Sequence, residues 1–194
     1  MSLGRFAARA LVGSLFVGHG TQKLFGWFGG PGRAGTEGMM ESLQMRPAKV
    51  HALAAGATET AAGALLAVGL ATPAAAAGIT GVMTTAIRKV HAPNGPWSSN
   101  GGWEYNAVLI AFVTALVETG PGKISLDHLF GTERSGVRWA LTALGAGVGA
   151  AFLTMSAGQR ASAAAVTPAP PAPAALLDGT AGDPTTAGAG PALS

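Results

Sequence analysis

Residues 47–90 read PAKVHALAAGATETAAGALLAVGLATPAAAAGITGVMTTAIRKV. As one helix this stretch would run for about 66 Å at ~1.5 Å per residue, roughly twice the ~30 Å hydrocarbon thickness of a bilayer. It must fold back, and Ala71-Thr72-Pro73 marks the place, with Thr72 suited to an N-cap and Pro73 to the first helical position. Two spans result, over residues 47–71 and 73–90. Glu59 is the one carboxylate between Ala48 and Ala71. Inside a span an ionisable group costs roughly 3 kcal/mol or more unless it meets a partner or a watery cavity, so Glu59 marks a site by default.

Further apolar runs flank this pair. Residues 6–25 follow Arg5 and Arg9 as a signal peptide would, but His19-Gly20-Thr21-Gln22-Lys23 stands where a cleavage site needs small residues, so the run reads as a retained span. Residues 103–119 open with Glu104, Tyr105 and Asn106 and stop at Gly120-Pro121-Gly122. A fifth run, residues 137–156, carries Gly145, Gly147 and Gly149 in its middle. Abundant Ala and Gly allow the close backbone approach that packs helices in lipid. Short interfacial helices are expected at residues 36–45, where Met39, Met40 and Leu43 share helical spacing, and at 125–130. From residue 159 the chain is mostly Ala, Pro, Thr and Gly, too poor in large apolar side chains to repay ordering. The expected fold is an all-α membrane protein. It comprises a four-helix transmembrane bundle over residues 1–120, a linker over 121–135, a fifth transmembrane helix over 136–158 and a disordered C-terminal tail over 159–194.

Composition agrees with burial in lipid: charged residues are 11% of the chain and hydrophobic ones 48%, against roughly 25% charged in soluble domains. The net charge of +3 is not a nucleic-acid footprint, because the basic residues are scattered, with no run longer than Arg88-Lys89. The chain contains no cysteine. That excludes disulfides, thiol catalysis and thiolate-held metals, so a redox role must use a quinone, another cofactor or a partner. Gly29-Gly30-Pro31-Gly32 lacks the spacing and the Lys-Ser/Thr of a phosphate loop and reads as a turn. The four histidines form no close-spaced metal-ligand pair.

Tracing the spans brings polar residues to one membrane face. Span one ends there with His19, Gln22 and Lys23, and span two begins there with His51 and carries Glu59 halfway down. Span three ends there with Thr84, Thr85, Arg88, Lys89 and His91, where 84/88 and 88/91 share a helical face, and span four opens with Glu104 and Tyr105. The opposite face, with the N-terminus and the turn at Thr72, looks plain. His19, Gln22, Lys23, Glu59, Arg88, His91, Glu104 and Tyr105 are therefore the candidate ligand-binding residues; no catalytic residue or metal ligand is assigned. Each also has a structural reading. Lys89 can snorkel from its helix end, Trp103 and Tyr105 can anchor at the interface, and Glu59 can be a protonated carboxyl bonded to a neighbouring helix or an ion-pair partner of Lys23 or Arg88.

The same positions carry a family resemblance. Gly18-His19-Gly20 with Lys23-Leu24-Phe25-Gly26, then Glu59 with Gly63 and Leu65-Leu66, then Arg88 and His91, then Gly101-Gly102-Trp103-Glu104-Tyr105 resembles the DoxX family of small polytopic membrane proteins, over residues 5–120. The resemblance implies a four-helix membrane bundle. It also implies kinship with a subunit of a thiosulfate:quinone oxidoreductase and with membrane complexes of oxidative stress, in a superfamily that includes membrane chaperones and cargo receptors.

Two functions follow as expectations. In the first, a membrane subunit of a respiratory or oxidative-stress redox system holds a quinone headgroup or a small anion such as thiosulfate in a one-sided polar pocket. In the second, a non-enzymatic scaffold or chaperone-like subunit docks other proteins. The expected partners are the lipid bilayer and proteins of a membrane redox complex. A multi-pass place in the cell membrane is expected. Basic residues are balanced between the two faces, so the positive-inside rule favours neither orientation, and the Pro/Ala/Thr-rich tail is the ground for putting the N-terminus in the cytoplasm.

Overall fold

A computed structural model of the protein describes residues 3–166. Every regular element among them is helical: α1 (Leu3–Phe25), α2 (Gly32–Ser42), α3 (Ala48–Val68), α4 (Thr72–Ala86), α5 (Glu104–Thr119), α6 (Leu126–Leu129) and α7 (Val137–Val166), joined by short 3-10 turns. The end of α4 widens into a π turn over Ile87–His91. The helix α1 packs along α3, α3 on α4 and α4 on α5, while α7 lies against α4 and α5 and α2 lies across α1 and α3.

Small residues set how close the helices come. A Cβ on Gly13 would stand 2.5 Å from the Ala67 nitrogen and the Gly63 oxygen, and one on Gly63 would stand 2.7 Å from the Gly13 oxygen. The two backbones therefore touch, which is how helices gain packing energy in lipid. The helix α7 is seated the same way at Gly147, where a Cβ would meet the Ala77 oxygen at 2.5 Å. Gly145 and Gly149 face open space, so only the middle glycine of that triplet marks a seam. Phe16, Leu66, Ile79, Val113 and Val117 fill the interior. Large apolar side chains, among them Leu11, Leu53, Val108 and Leu153, point outwards from α1, α3, α5 and α7. Apolar surface spread over so many helix faces suits lipid better than water.

One described helix, α7 over Val137–Ala165, is long and apolar enough to cross a bilayer by itself. The other four expected spans fall short of that standard. The helices α1 and α3 carry the internal charges Arg9 and Glu59, and α4 and α5 have only 15 and 16 residues. The fifth helix also extends further than expected, past residue 158 to Val166. Its last turns are held to the α2–α3 connection, where the Ser162 hydroxyl donates to the Gln44 oxygen at 3.0 Å and the Arg46 N–H to the Gly158 oxygen at 3.4 Å. The remainder of the expected tail, residues 167–194, lies outside the described residues.

The turn between α3 and α4 differs from expectation in its chemistry. Ala71, in the left-handed region at φ 47°, precedes the helix, and Thr72 is its first residue. The cap comes instead from Asp127 in α6, which accepts the Ala71 N–H at 2.9 Å, the Thr72 N–H at 3.0 Å, the Thr72 hydroxyl at 2.7 Å and the Thr132 hydroxyl at 3.1 Å. A carboxylate with two acceptor oxygens satisfies more orphan helix donors than one hydroxyl and complements the helix dipole. Beside it Arg9, only 1% exposed, donates to the Leu66 oxygen at 3.2 Å, the Ala67 oxygen at 2.6 Å and the Ile124 oxygen. The guanidinium thus satisfies the C-terminal carbonyls of α3. Arg5 does the same for Thr119 and Gly120 at the end of α5. The face expected to be plain is in fact a buried clasp that ties α1, α3, α4 and the α5–α7 linker together.

Two outcomes follow for stability. Gly63→Val should cost about 3 kcal/mol through backbone overpacking, whereas Gly145→Ala, facing open space, should stabilise by up to ~1 kcal/mol; thermal unfolding in detergent compares them. For Asp127, burial pushes the carboxyl up, but the hydrogen bonds from Thr72, Ala71 and Thr132 outweigh it and hold it below the ordinary carboxylate range. Its contribution is complete above the unfolded value of ~3.9 and is lost as pH falls through the lower folded value. Asp127→Ala should lower stability at neutral pH by about 1–2 kcal/mol and lessen the further loss on acidification below about pH 4.

Candidate functional site

At the opposite end from the clasp, where α1 and α4 finish and α3 and α5 begin, the structure holds a cavity of about 500 Å³. The helices α3 and α4 leave one tight turn, and the space between their far ends is filled by no side chain of theirs. Among the described residues α1 and α5, which both line the cavity, share no packed seam. Its walls are mostly apolar, from Val12 and Phe16 on α1 through Val82 and Met83 on α4 to Leu109 on α5 and Ala151 on α7. Met39, Met40, Leu43 and Met45, from α2 and the connection after it, line its outer end.

Its charged floor comes from α1 and α3. Glu59, 4% exposed, accepts a hydrogen bond from Lys23 at 2.6 Å through Oε2. Backbone packing makes this pairing possible: Gly20 on α1 lies against the Gly56 oxygen and the Thr60 nitrogen of α3. Lys23 and Glu59 each stand three residues beyond a glycine of that seam, on the same helical faces. The carboxylate is thus an ion-pair partner of Lys23 and not of Arg88. Thr36 donates to the Lys23 carbonyl at 3.3 Å, which pins α2 to the end of α1.

Five of the eight residues singled out from sequence line the cavity: His19, Lys23, Glu59, His91 and Tyr105. Tyr105 is 56% exposed and His19 is exposed too, so both stand at the mouth. The His91 ring bonds the Gly101 carbonyl through Nδ1 at 2.7 Å. Gln22, Arg88 and Glu104 lie elsewhere. Gln22 packs against the backbone of Gly30. The Arg88 guanidinium sits 5.9 Å over the Phe152 ring of α7. Glu104 accepts the Ser98 N–H at 2.8 Å and closes the loop before α5.

The cavity face of α4 runs through Gly81, Thr85 and Lys89, not through Thr84 and Arg88. The π turn at Ile87–His91 then brings His91 to the same side. Lys89, which could have been a headgroup anchor, donates to the Leu43 carbonyl at 3.0 Å and holds the end of α2 to the end of α4. Asn106, buried and donating to the Met83 sulfur at 3.3 Å, and His51, bonded to the Arg46 carbonyl at 3.2 Å, also line the cavity. A polar residue such as Asn106 inside an apolar run was the signal available for it.

This arrangement can accept an uncharged polar group at its floor and mouth and an apolar body along its walls. Lys23 and Glu59 cancel one another's charge. Glu59→Gln should therefore cost about 3 kcal/mol by stranding Lys23, while Lys23→Met with Glu59→Leu should recover most of that loss; thermal unfolding of the single and double variants reads the difference.

The family model described as DoxX matches residues 4–92. The match covers α1 to the π turn after α4; α5, α6 and α7 lie beyond it, as does the Gly101-Gly102-Trp103-Glu104-Tyr105 stretch. No curated protein and no solved structure matches the chain.

Proposed function

The chain is a DoxX family protein, and from that premise we propose that it is a multi-pass membrane subunit of a redox system whose cavity takes a quinone headgroup. The observation that carries this reading is the neutralised Lys23–Glu59 pair at the floor of a largely apolar chamber. A free cation there would favour a small anion such as thiosulfate; a cation already paired favours an uncharged headgroup that needs hydrogen bonds. Lys23 donates towards one headgroup oxygen, and Tyr105 and His19 serve another at the mouth. The Lys23 ammonium can give a proton to the reduced headgroup, and the Glu59 carboxylate beside it can take one back on reoxidation. The apolar walls hold the ring, and the gap between α1 and α5 lets an isoprenoid tail run into lipid.

In this reading the protein supplies binding and proton exchange and a partner subunit supplies electrons, since the chain has no cysteine. The helices α1, α3, α4 and α5 then cross the membrane beside α7. Their shared clasp and glycine seams compensate the short lengths and internal charges that each would carry alone.

Purified protein should bind a short-tailed quinone saturably, and Lys23→Met and Tyr105→Phe should each weaken it about tenfold, the equivalent of one hydrogen bond at ~1.4 kcal/mol. Thiosulfate should not compete. Tryptophan fluorescence quenching measures both, and an undiminished affinity in both folded variants would remove the cavity from consideration. Cysteines introduced at Ser98 and Ser135 should react from opposite membrane sides; labelling from one side only would exclude the multi-pass arrangement.

A further inference from the structure

A second groove, separate from the cavity, runs along the surface between α4 and α7 near their N-terminal ends and encloses about 530 Å³. Leu70, Pro73, Ala74, Ala77, Ala143 and Ala146 form its walls. Small side chains on both helices leave a furrow where larger ones would meet. Trp139 and Arg134, at the start of α7 and in the linker before it, close the end nearest the clasp.

That end carries one exposed cation, Arg134, with Asp127 and Thr132 also in the lining. The Arg134 guanidinium lies 5.0 Å over the Trp139 ring and is exposed. No carboxylate among the described residues forms an ion pair with it. The two acidic residues nearest it have other partners, although Asp127 also lines the groove. Glu133 lies 3.2 Å from His128, and both oxygens of Asp127 are taken up by donors from Ala71, Thr72 and Thr132. Arg134 is thus held by stacking and keeps its donor fork free, the form in which arginine recognises phosphate. An unpaired guanidinium at the head of an apolar furrow complements an anionic headgroup with an acyl chain, where the helices cross the membrane as proposed above.

We infer that the α4–α7 groove binds an anionic phospholipid, its acyl chain along Ala74, Ala77, Ala143 and Ala146 and its phosphate on Arg134. The site lies at the opposite end of α4 from the cavity and does not depend on what the cavity binds. It gives α7, which lies outside the matched family region, a second role beyond packing.

Full-length protein in an uncharged detergent tests this by native mass spectrometry with phosphatidylglycerol and phosphatidylcholine of the same acyl chains. The unaltered protein should retain phosphatidylglycerol at least tenfold better. Arg134→Gln, an exposed change that leaves the fold intact, should abolish the preference, and Ala74→Phe should reduce retention of both lipids by filling the furrow. Lys49→Gln, at the far membrane face, should alter neither, and excess inorganic phosphate should not displace the lipid. Equal retention of the two lipids, a preference that survives Arg134→Gln, unchanged retention in Ala74→Phe, or displacement by phosphate would each overturn the assignment.

Discussion

Backbone contact between α1 and α3 is the constraint from which the rest of the molecule follows. Gly13 and Gly20 on one helix and Gly56 and Gly63 on the other leave no room for a Cβ between them. At that separation Lys23 and Glu59 meet directly, at 2.6 Å. A wider seam would leave each charge in apolar surroundings without its partner, at several kcal/mol per ion. The glycine seam is therefore an electrostatic device as well as a packing one. It allows a carboxylate to sit halfway along an apolar helix, and it sets the floor of the cavity that α4 and α5 enclose from the other side.

Much of this was legible in the chain. The fold-back at residues 71–73, the positions of the main helices and the convergence of polar residues at one end follow from hydropathy, turn chemistry and length. Glu59 announced a partner because of where it lies. What could not be read was which partner and which face. Lys23 and Arg88 were equal candidates until the α1–α3 seam put one of them within reach. The face of α4 depended on its packing against α3 and on a π turn, neither of which periodicity reveals. Lys89 consequently occupies the place expected for Arg88.

The clasp was illegible for a different reason. Its two central residues, Arg9 and Asp127, are far apart in sequence, and each has an ordinary local explanation. Arg9 reads as a charge flanking an apolar run, and Asp127 as a residue in a short interfacial helix. Only the folded chain shows that one serves the carbonyls ending α3 and the other the amides beginning α4. Thr72 is a sound cap by residue type. A carboxylate from another element displaces it because the turn is buried, and a buried turn needs more acceptors than one hydroxyl supplies.

The clasp and the cavity occupy opposite ends of the same helices, and this makes the bundle mechanically lopsided. At the clasp, buried hydrogen bonds hold the ends of α3 and α4 to α1 and to the linker before α7. At the cavity, the cover is α2 and the connection after it, which pack on α1, α3 and α7 and are pinned by Thr36 to Lys23, Lys89 to Leu43, Ser162 to Gln44 and Arg46 to Gly158. Widening the chamber would break those bonds of the cover, whereas the buried network of the clasp could stay closed. The protein is built like tongs, with its rivet at one end of the helices and its jaws at the other.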